Sequence, residues 1–203
     1  MIKNVIFDIG NVLMTFDPYH YYQTVFADKE RTKQICQHIF THEAWLKYDQ
    51  GILFIKDLYQ IYHKEFCEYH LEIDEILSNW MKLMQPITTS FTCMKQLKNE
   101  GYHIYILSNI SKDSADYLKA TQPFFSWCDG AVLSYEEKLL KPDPLIYKCL
   151  FERYDLIEEE CLFIDDRLEN IKTAKQLGMK GILLDDPQKL ANYLEESLEK
   201  KVC

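Results

Sequence analysis

Hydrophobic and polar positions along this chain fall into two textures. Near the start, Val5-Ile6-Phe7 is a short apolar run that ends on Asp8, with Gly10 two residues on. Such a run predicts a buried strand of a parallel sheet, with Asp8 at its carboxyl end. Gly10 is read as the residue that lets the backbone turn there. Four similar runs come much later: His103 to Ser108, Gly130 to Leu133, Cys161 to Asp165 and Asp166, and Gly181 to Leu184. The segments between them read as helices. Thr88 or Ser90 caps one that stops at Gly101; Lys112 to Ala120 forms the next. Pro142 and Pro144 lead into a helix through about Tyr154, Leu168 to Leu177 stops at Gly178, and Pro187 to about Lys200 closes the chain. Strands alternating with helices predict an α/β fold with a parallel sheet and right-handed crossovers.

The second texture lies between the first run and the rest. From Pro18 to about Gln85 no strand-like run occurs. Pro18 suits the first turn of a helix, and Asp28-Lys29-Glu30-Arg31 looks like another helix start. Leu58, Ile61, Tyr62, Phe66 and Tyr69 recur at helical spacing between Leu53 and His70, and Asp74 is placed to cap a helix through Leu77, Trp80, Met81 and Met84. Residues 15–85 therefore read as a bundle of about four helices inserted after the first strand. The expected division is a core of residues 1–14 and 86–203 with this bundle as a separate unit.

Composition narrows the function. The 203 residues suit one domain carrying an insertion. Net charge is -9 with no basic block, which argues against nucleic acid as a partner. No apolar run approaches the ~18 residues that span a bilayer, and no signal-peptide pattern precedes the first strand. Seven cysteines, an odd number without a Cys-x-x-Cys pair, suit reduced thiols and a cytoplasmic setting.

Three predicted strands end on polar groups: Asp8, Ser108 with Asn109, and Asp165 with Asp166. In a parallel sheet these ends share one edge, where ligands bind, and Lys141 lies on a loop that reaches it. The set suits phosphoryl transfer. A carboxylate can serve as nucleophile, further carboxylates can hold Mg²⁺, and a lysine with a hydroxyl can neutralise phosphate oxygens.

With these residues in order, the chain resembles the haloacid dehalogenase (HAD) superfamily of phosphatases. The matching motifs are Phe7-Asp8-Ile9-Gly10-Asn11-Val12-Leu13, Leu107-Ser108-Asn109, Lys141-Pro142-Asp143, and Phe163-Ile164-Asp165-Asp166-Arg167 with Asn170. The resemblance implies a Rossmann-like parallel sheet, the HAD core, with an inserted all-helical cap at 15–85 that closes over the site. It implies that Asp8 is the nucleophile and a metal ligand. Ser108 and Asn109 would bind phosphate, and Lys141 would stabilise charge on Asp8 and on the substrate. Mg²⁺ would be held by Asp8, the carbonyl of Gly10, Asp166, and Asp165 directly or through water. The expected partner is a small phosphorylated metabolite. The form Phe-Asp-x-Gly-Asn-Val, together with Tyr48-Asp49-Gln50-Gly51, resembles a sub-group of bacterial sugar-phosphate phosphatases that includes enzymes acting on α-D-glucose-1-phosphate.

One departure stands out. The usual first motif carries a second Asp, the general acid and base, where this chain has Gly10. Asp17 is the nearest spare carboxylate; it either replaces that acid or caps the helix behind it. Tyr19, Tyr22, Trp45 and Tyr48 are the aromatic candidates for substrate choice. Two other readings share parts of this pattern: a metal-independent 2-haloacid dehalogenase, and a non-catalytic HAD-like protein that binds phosphate esters.

Overall fold

Strands β1 (Asn4–Phe7), β2 (His103–Ser108), β3 (Gly130–Leu133), β4 (Cys161–Asp165) and β5 (Lys180–Leu183) pair into one sheet. Their order is β3-β2-β1-β4-β5, and every pairing is parallel. The computed structural model describes residues 1–198. The end of the expected closing helix, to Lys200, and Cys203 lie outside the described residues. β1 occupies the centre, with Phe7 in register with Ile106 of β2 and Ile164 of β4. Asp8, Leu107 and Asp165 follow at one edge.

Alternation along the strands explains why both faces are covered. Val5 and Phe7, Ile104 and Ile106, and Leu162 and Ile164 enter one apolar core. Ile6, Tyr105, Leu107, Cys161 and Phe163 enter the other. Period-two side chains with no polar face need helices on both sides. On the first face pack α6 (Thr88–Asn99), α7 (Lys112–Thr121) and α11 (Leu190–Leu198), through Met94, Leu97, Leu118, Leu190 and Leu194. On the second pack α9 (Pro144–Tyr154) and α10 (Leu168–Gln176), through Ile146, Leu150, Ile171 and Ala174. A single turn, α8 (Ser134–Glu137), follows β3.

Between β1 and α6 the chain is helical, with α1 (Pro18–Tyr22), α2 (Lys29–Phe40), α3 (Glu43–Asp49), α4 (Ile55–Glu65) and α5 (His70–Asn79). Asp17 and Asp28 cap α1 and α2 by accepting from the backbone N–H groups of His20 and Arg31. Three expectations need correction. The pattern from Leu53 to His70 is not one helix: α4 stops at Glu65, and one 3₁₀ turn at Cys67–Tyr69 leads into α5. Asp74 therefore lies inside α5 rather than at its cap. α3 was not legible as an element, because its cap is the ring of His42, which accepts from the Ala44 N–H, an unusual capping group. Finally, α6 begins at Thr88 after Ile87, with no side-chain cap from Thr88 or Ser90.

The insertion leaves and rejoins the core on two paired segments. Thr15 N–H donates to the Gln85 carbonyl at 2.8 Å, and Ile87 N–H donates to the Leu13 carbonyl at 2.9 Å. Met14 and Pro86 form an antiparallel bridge between them. Among the described residues no helix is long and apolar enough to cross a membrane.

Candidate active site

The loop after β1 sets the first carboxylate. Asp8 N–H makes the last rung to the Ile164 carbonyl at 2.9 Å, and its Oδ1 accepts from the Ile9 N–H at 2.7 Å. The Ile9 carbonyl then accepts from both Leu13 and Met14, at 2.9 Å each, which closes a tight turn. The left-handed residue in that turn is Asn11, with φ 52°, and not Gly10. Asn adopts this region at modest cost, so the expected role of Gly10 in turning the chain passes to Asn11. Asn11 does more than turn. Its Oδ1 accepts from the Phe16 N–H at 2.8 Å, and its Nδ2 donates to Asp166 Oδ2 at 2.9 Å. Gly10 contributes open space: a Cβ there would meet nothing within 4 Å.

Lys141 is the hub of the cluster. Its Nζ lies 2.9 Å from Asp8 Oδ1 and 2.6 Å from Asp165 Oδ2, and it donates to the Leu107 carbonyl at 3.0 Å. All three ammonium hydrogens thus have an acceptor, with the side chain only 1% exposed. Asn109 fixes the lysine backbone: its Oδ1 accepts from the Lys141 N–H at 2.7 Å, and its Nδ2 donates to the Lys141 carbonyl at 2.9 Å. The Asn109 carboxamide, expected on the phosphate, is therefore used on both sides by Lys141. Ser108 is buried at the end of β2 and lines the cleft.

Asp165 and Asp166 differ sharply although they are neighbours. Asp165 is fully buried. Its Oδ1 accepts from the Arg167 N–H at 2.8 Å and from Asn170 Nδ2 at 2.9 Å, while its Oδ2 accepts from Lys141 and, at 3.0 Å, from Asn170 Nδ2. Asp166 faces the cleft, held by Asn11. Asn170 Oδ1 is buried beside them with no hydrogen-bond partner.

Charge crowding shows in the acidities. Burial pushes the Asp8 carboxyl up to about 7, with Lys141 pulling against it and Asp165 and Asp166 adding to the rise. Burial also raises Asp166, with Asp165 adding to the effect and the Asn11 hydrogen bond opposing it. Burial alone would lower the Lys141 pKa, but Asp8 and Asp165 outweigh it and hold it above the ordinary lysine value. One lysine does not neutralise three carboxylates. Oxygen atoms of Asp8, Asp165 and Asp166 all lie within 4.8 Å of one another. An all-oxygen set of this charge, with the orphaned Asn170 Oδ1 beside it, fits a hard divalent cation.

Above the carboxylates opens a cleft of about 220 Å³. Its far wall comes from the helical insertion: Phe16, Phe40, Trp45, Leu46, Trp80 and Met84. The rings pack edge to face, with centroids 5.6 Å apart for Phe16 and Phe40, 4.6 Å for Phe40 and Trp45, and 5.1 Å for Trp45 and Trp80. Of the four aromatic candidates only Trp45 lines this wall. Tyr22 and Tyr48 are core residues whose hydroxyls reach the Ile76 carbonyl and Asp113, and Tyr19 is exposed and does not line the cleft. Asp17 is exposed, caps α1 and does not line the cleft. Sequence reasoning missed Phe16, Phe40 and Trp80 because their apolar spacing is the same as that of a helical core.

The model of the haloacid dehalogenase-like hydrolase family matches residues 2–178. The chain belongs to this family. As a haloacid dehalogenase-like hydrolase it is similar to proteins of known activity along most of its length. It is 27% identical to the sesquiterpene phosphatase astK of Aspergillus oryzae, covering 91% of this chain and 90% of that one. It is also 27% identical to the D-ribitol-5-phosphate phosphatase of Bacteroides thetaiotaomicron, covering 97% of each. Among solved structures, a HAD family enzyme of Bacteroides thetaiotaomicron in complex with magnesium and inorganic phosphate shares the fold. Its TM-score is 0.67 at 24% identity, over 90% of this chain and 93% of that one.

Proposed function

We propose that this hydrolase is a Mg²⁺-dependent phosphatase that cleaves a small phosphate monoester through an aspartyl-phosphate on Asp8. One observation carries the reading. Three carboxylates, one lysine and the Ser108 hydroxyl meet at the carboxyl edge of the sheet, under a cleft of metabolite size. Asp8, the Gly10 carbonyl and Asp166 would hold the cation. Asp165 supports them chiefly by fixing Lys141 and Asn170. When bound, Mg²⁺ supplies positive charge that binds and polarises the substrate phosphate.

The chain's own residues do the rest. Asp8 Oδ attacks phosphorus while the bond to the leaving oxygen breaks. Lys141 cannot swing freely onto the phosphate, because its hydrogens are committed; it acts by placing charge beside Asp8 and the incoming phosphoryl group. Ser108 Oγ and the backbone around Asn109 supply hydrogen bonds to phosphate oxygens. Water then attacks phosphorus and frees Asp8. Residues 15–85 act as the cap over a core of 1–14 and 86–203. The paired segments at Thr15–Gln85 and Leu13–Ile87 form the joint. The six thiols described in no disulfide fit a reducing, cytoplasmic setting.

The wall favours an organic group with an apolar face, such as the C–H face of a sugar ring. Among the described residues that line the cleft the cations are Lys141, which is committed to Asp8 and Asp165, and Arg167, so one phosphate beside the carboxylate cluster is the charge the cleft is built for. A sugar phosphate such as glucose-1-phosphate fits this description. A 2-haloacid dehalogenase does not need the Asp166 carboxylate, since a metal-free site gains nothing from added negative charge.

Hydrolysis of 4-nitrophenyl phosphate with and without EDTA tests the reading, with halide release from 2-chloropropionate as the control. Metal-dependent ester turnover supports it. Metal-independent halide release, or tight ester binding without turnover, contradicts it.

A further inference from the structure

The first-motif position that resembles the family's acid–base aspartate holds Gly10, so the leaving oxygen has no proton donor on that loop. The cleft itself narrows the choice. Among the described residues that line it, the carboxyl groups are those of Asp8, Asp49 and Asp166, and no histidine is present. Asp8 and Asp166 are committed to phosphorus and to the cation. We propose that Asp49 is the general acid and base of this site, reaching in from the helical insertion to do the work that Gly10 cannot. This rests on the phosphatase reading above.

The structure seats Asp49 firmly against the phosphate side of the cleft. It is the last residue of α3. Its backbone carbonyl accepts from Ser134 Oγ at 2.6 Å, and that Ser134 hydroxyl oxygen in turn accepts from the Ile110 N–H at 2.8 Å. Ile110 lies two residues beyond Ser108, so one hydroxyl sets α3 against the phosphate-side loop. The following turn is fastened too: Gln50 Nε2 donates to the Lys138 carbonyl, and Lys138 Nζ donates to the Gly51 carbonyl, both at 2.7 Å. Gly51 has φ 69°, and a Cβ there would sit 2.6 Å from the Tyr135 carbonyl oxygen. Only glycine permits that approach. These contacts join α3 to the core at the point where Asp49 faces the cleft.

Its environment gives it a usable proton. Burial pushes the Asp49 carboxyl up to about 7, against the opposing hydrogen bonds of the Ser111 backbone and the Trp45 side chain. The titratable groups around it are Tyr48 of the same helix, hydrogen-bonded to Asp113, and Tyr62 of α4. Lys138 is spent on the Gly51 and Tyr135 carbonyls. A carboxyl near 7 can both give and take a proton at neutral pH.

The steps balance. As Asp8 Oδ bonds to phosphorus, the phosphorus–oxygen bond to the organic group breaks. The Asp49 proton goes to that oxygen, directly or through one water. Alcohol leaves, Asp8 is an acyl phosphate and Asp49 is a carboxylate. Water then bonds to phosphorus as the phosphorus–Asp8 bond breaks, and Asp49 recovers its proton from that water. Because the acid rides on the insertion, proton transfer requires the insertion to be docked on the core.

The test compares kcat/KM for 4-nitrophenyl phosphate, whose leaving group needs no proton, with that for glycerol-1-phosphate, whose alkoxide does. Asp49→Asn should cost about 10²- to 10⁴-fold on the alkyl ester and less than about tenfold on the aryl ester. The fall of alkyl-ester kcat/KM above pH 7 should disappear with it. Asp49→Glu should retain part of the alkyl activity. Gly10→Asp in the Asp49→Asn background should regain some, since the space beside Gly10 is open. Aryl turnover also reports that the variants are folded. Equal loss on both esters, or no loss on either, overturns the assignment of Asp49 and leaves the phosphatase reading standing. No metal-dependent aryl turnover in the unmodified protein overturns both.

Discussion

Lys141 Nζ and Asp8 Oδ1 lie 2.9 Å apart in a pocket that solvent scarcely enters. The lysine also holds Asp165 at 2.6 Å, so a single cation serves two buried carboxylates from two adjacent strands. Replacing it by Met strands both. Removal of one partner from a buried ion pair costs about 3–5 kcal/mol. Lys141→Met should therefore unfold at clearly lower urea and lose turnover. The deficit should shrink from pH 8 to pH 5, as the stranded carboxylates take up protons. Urea titrations at the two pH values check this; a pH-independent deficit would show that the charges are not its source.

Asn11 orients Asp166 through its Nδ2 while its own backbone sits at positive φ. Loss of a partner that orients a metal-bound carboxylate typically costs about 10- to 100-fold in metal affinity. Asn11→Ala should raise the Mg²⁺ needed for half-maximal activity by that order and reduce the Mg²⁺-induced rise in melting temperature. Asn11→Gly relieves the backbone but not the missing hydrogen bond, so its metal defect should persist while its stability recovers. Equal Mg²⁺ dependence in all three proteins would remove Asn11 from the site.

The raised pKa of Asp49 makes stability depend on pH in a definite direction. With a folded value of about 7 and an ordinary value of 3.8 when unfolded, the native state binds more protons between those limits. Stability then falls as pH rises from about 4 to 7. Asp49→Asn has no such group. Its stability relative to the unmodified protein should improve steadily across that window and level off above pH 7. A relative stability that does not change with pH would mean that Asp49 is ionised throughout.

Asp8 behaves alike and is also the nucleophile of the proposed mechanism. Burial and the neighbouring carboxylates raise it to about 7 while Lys141 opposes them. Asp8→Asn should abolish turnover and, without metal, hold or raise the melting temperature, more so at pH 8 than at pH 5. Thermal melts in EDTA decide the point. Asp166→Ala should keep the fold and shift only the metal requirement; an unchanged requirement would exclude it as a ligand.

Much of this was legible in the chain because the core strands are short, apolar and bounded. Asp8, Ser108 and Asp165 lie at strand ends in the sequence pattern and at one sheet edge in the structure. Hydrogen-bond partners were not legible. Asn109 and Lys141 are joined only by folding, and nothing in local spacing shows that the carboxamide grips the lysine backbone. Asn11 escaped notice because Gly10 beside it offered a simpler account of the turn. The insertion was legible as helical but not in its breaks: Phe66 and His42 are neither proline, glycine nor usual caps, so packing set those boundaries. The cleft wall was hidden for the same reason, since Phe40 and Trp80 carry the same apolar signal inside a core as on the rim of a site.

The proposed mechanism turns on phosphorylation of Asp8. Acid quench within the first turnover of a phosphate ester, followed by mapping of the labelled peptide, tests it directly. A Mg²⁺-dependent acyl phosphate should appear on the peptide containing Asp8 and be absent in Asp8→Asn. A stable phosphate on any other residue, or single turnover with no phosphorylated protein at any quench time, would contradict it.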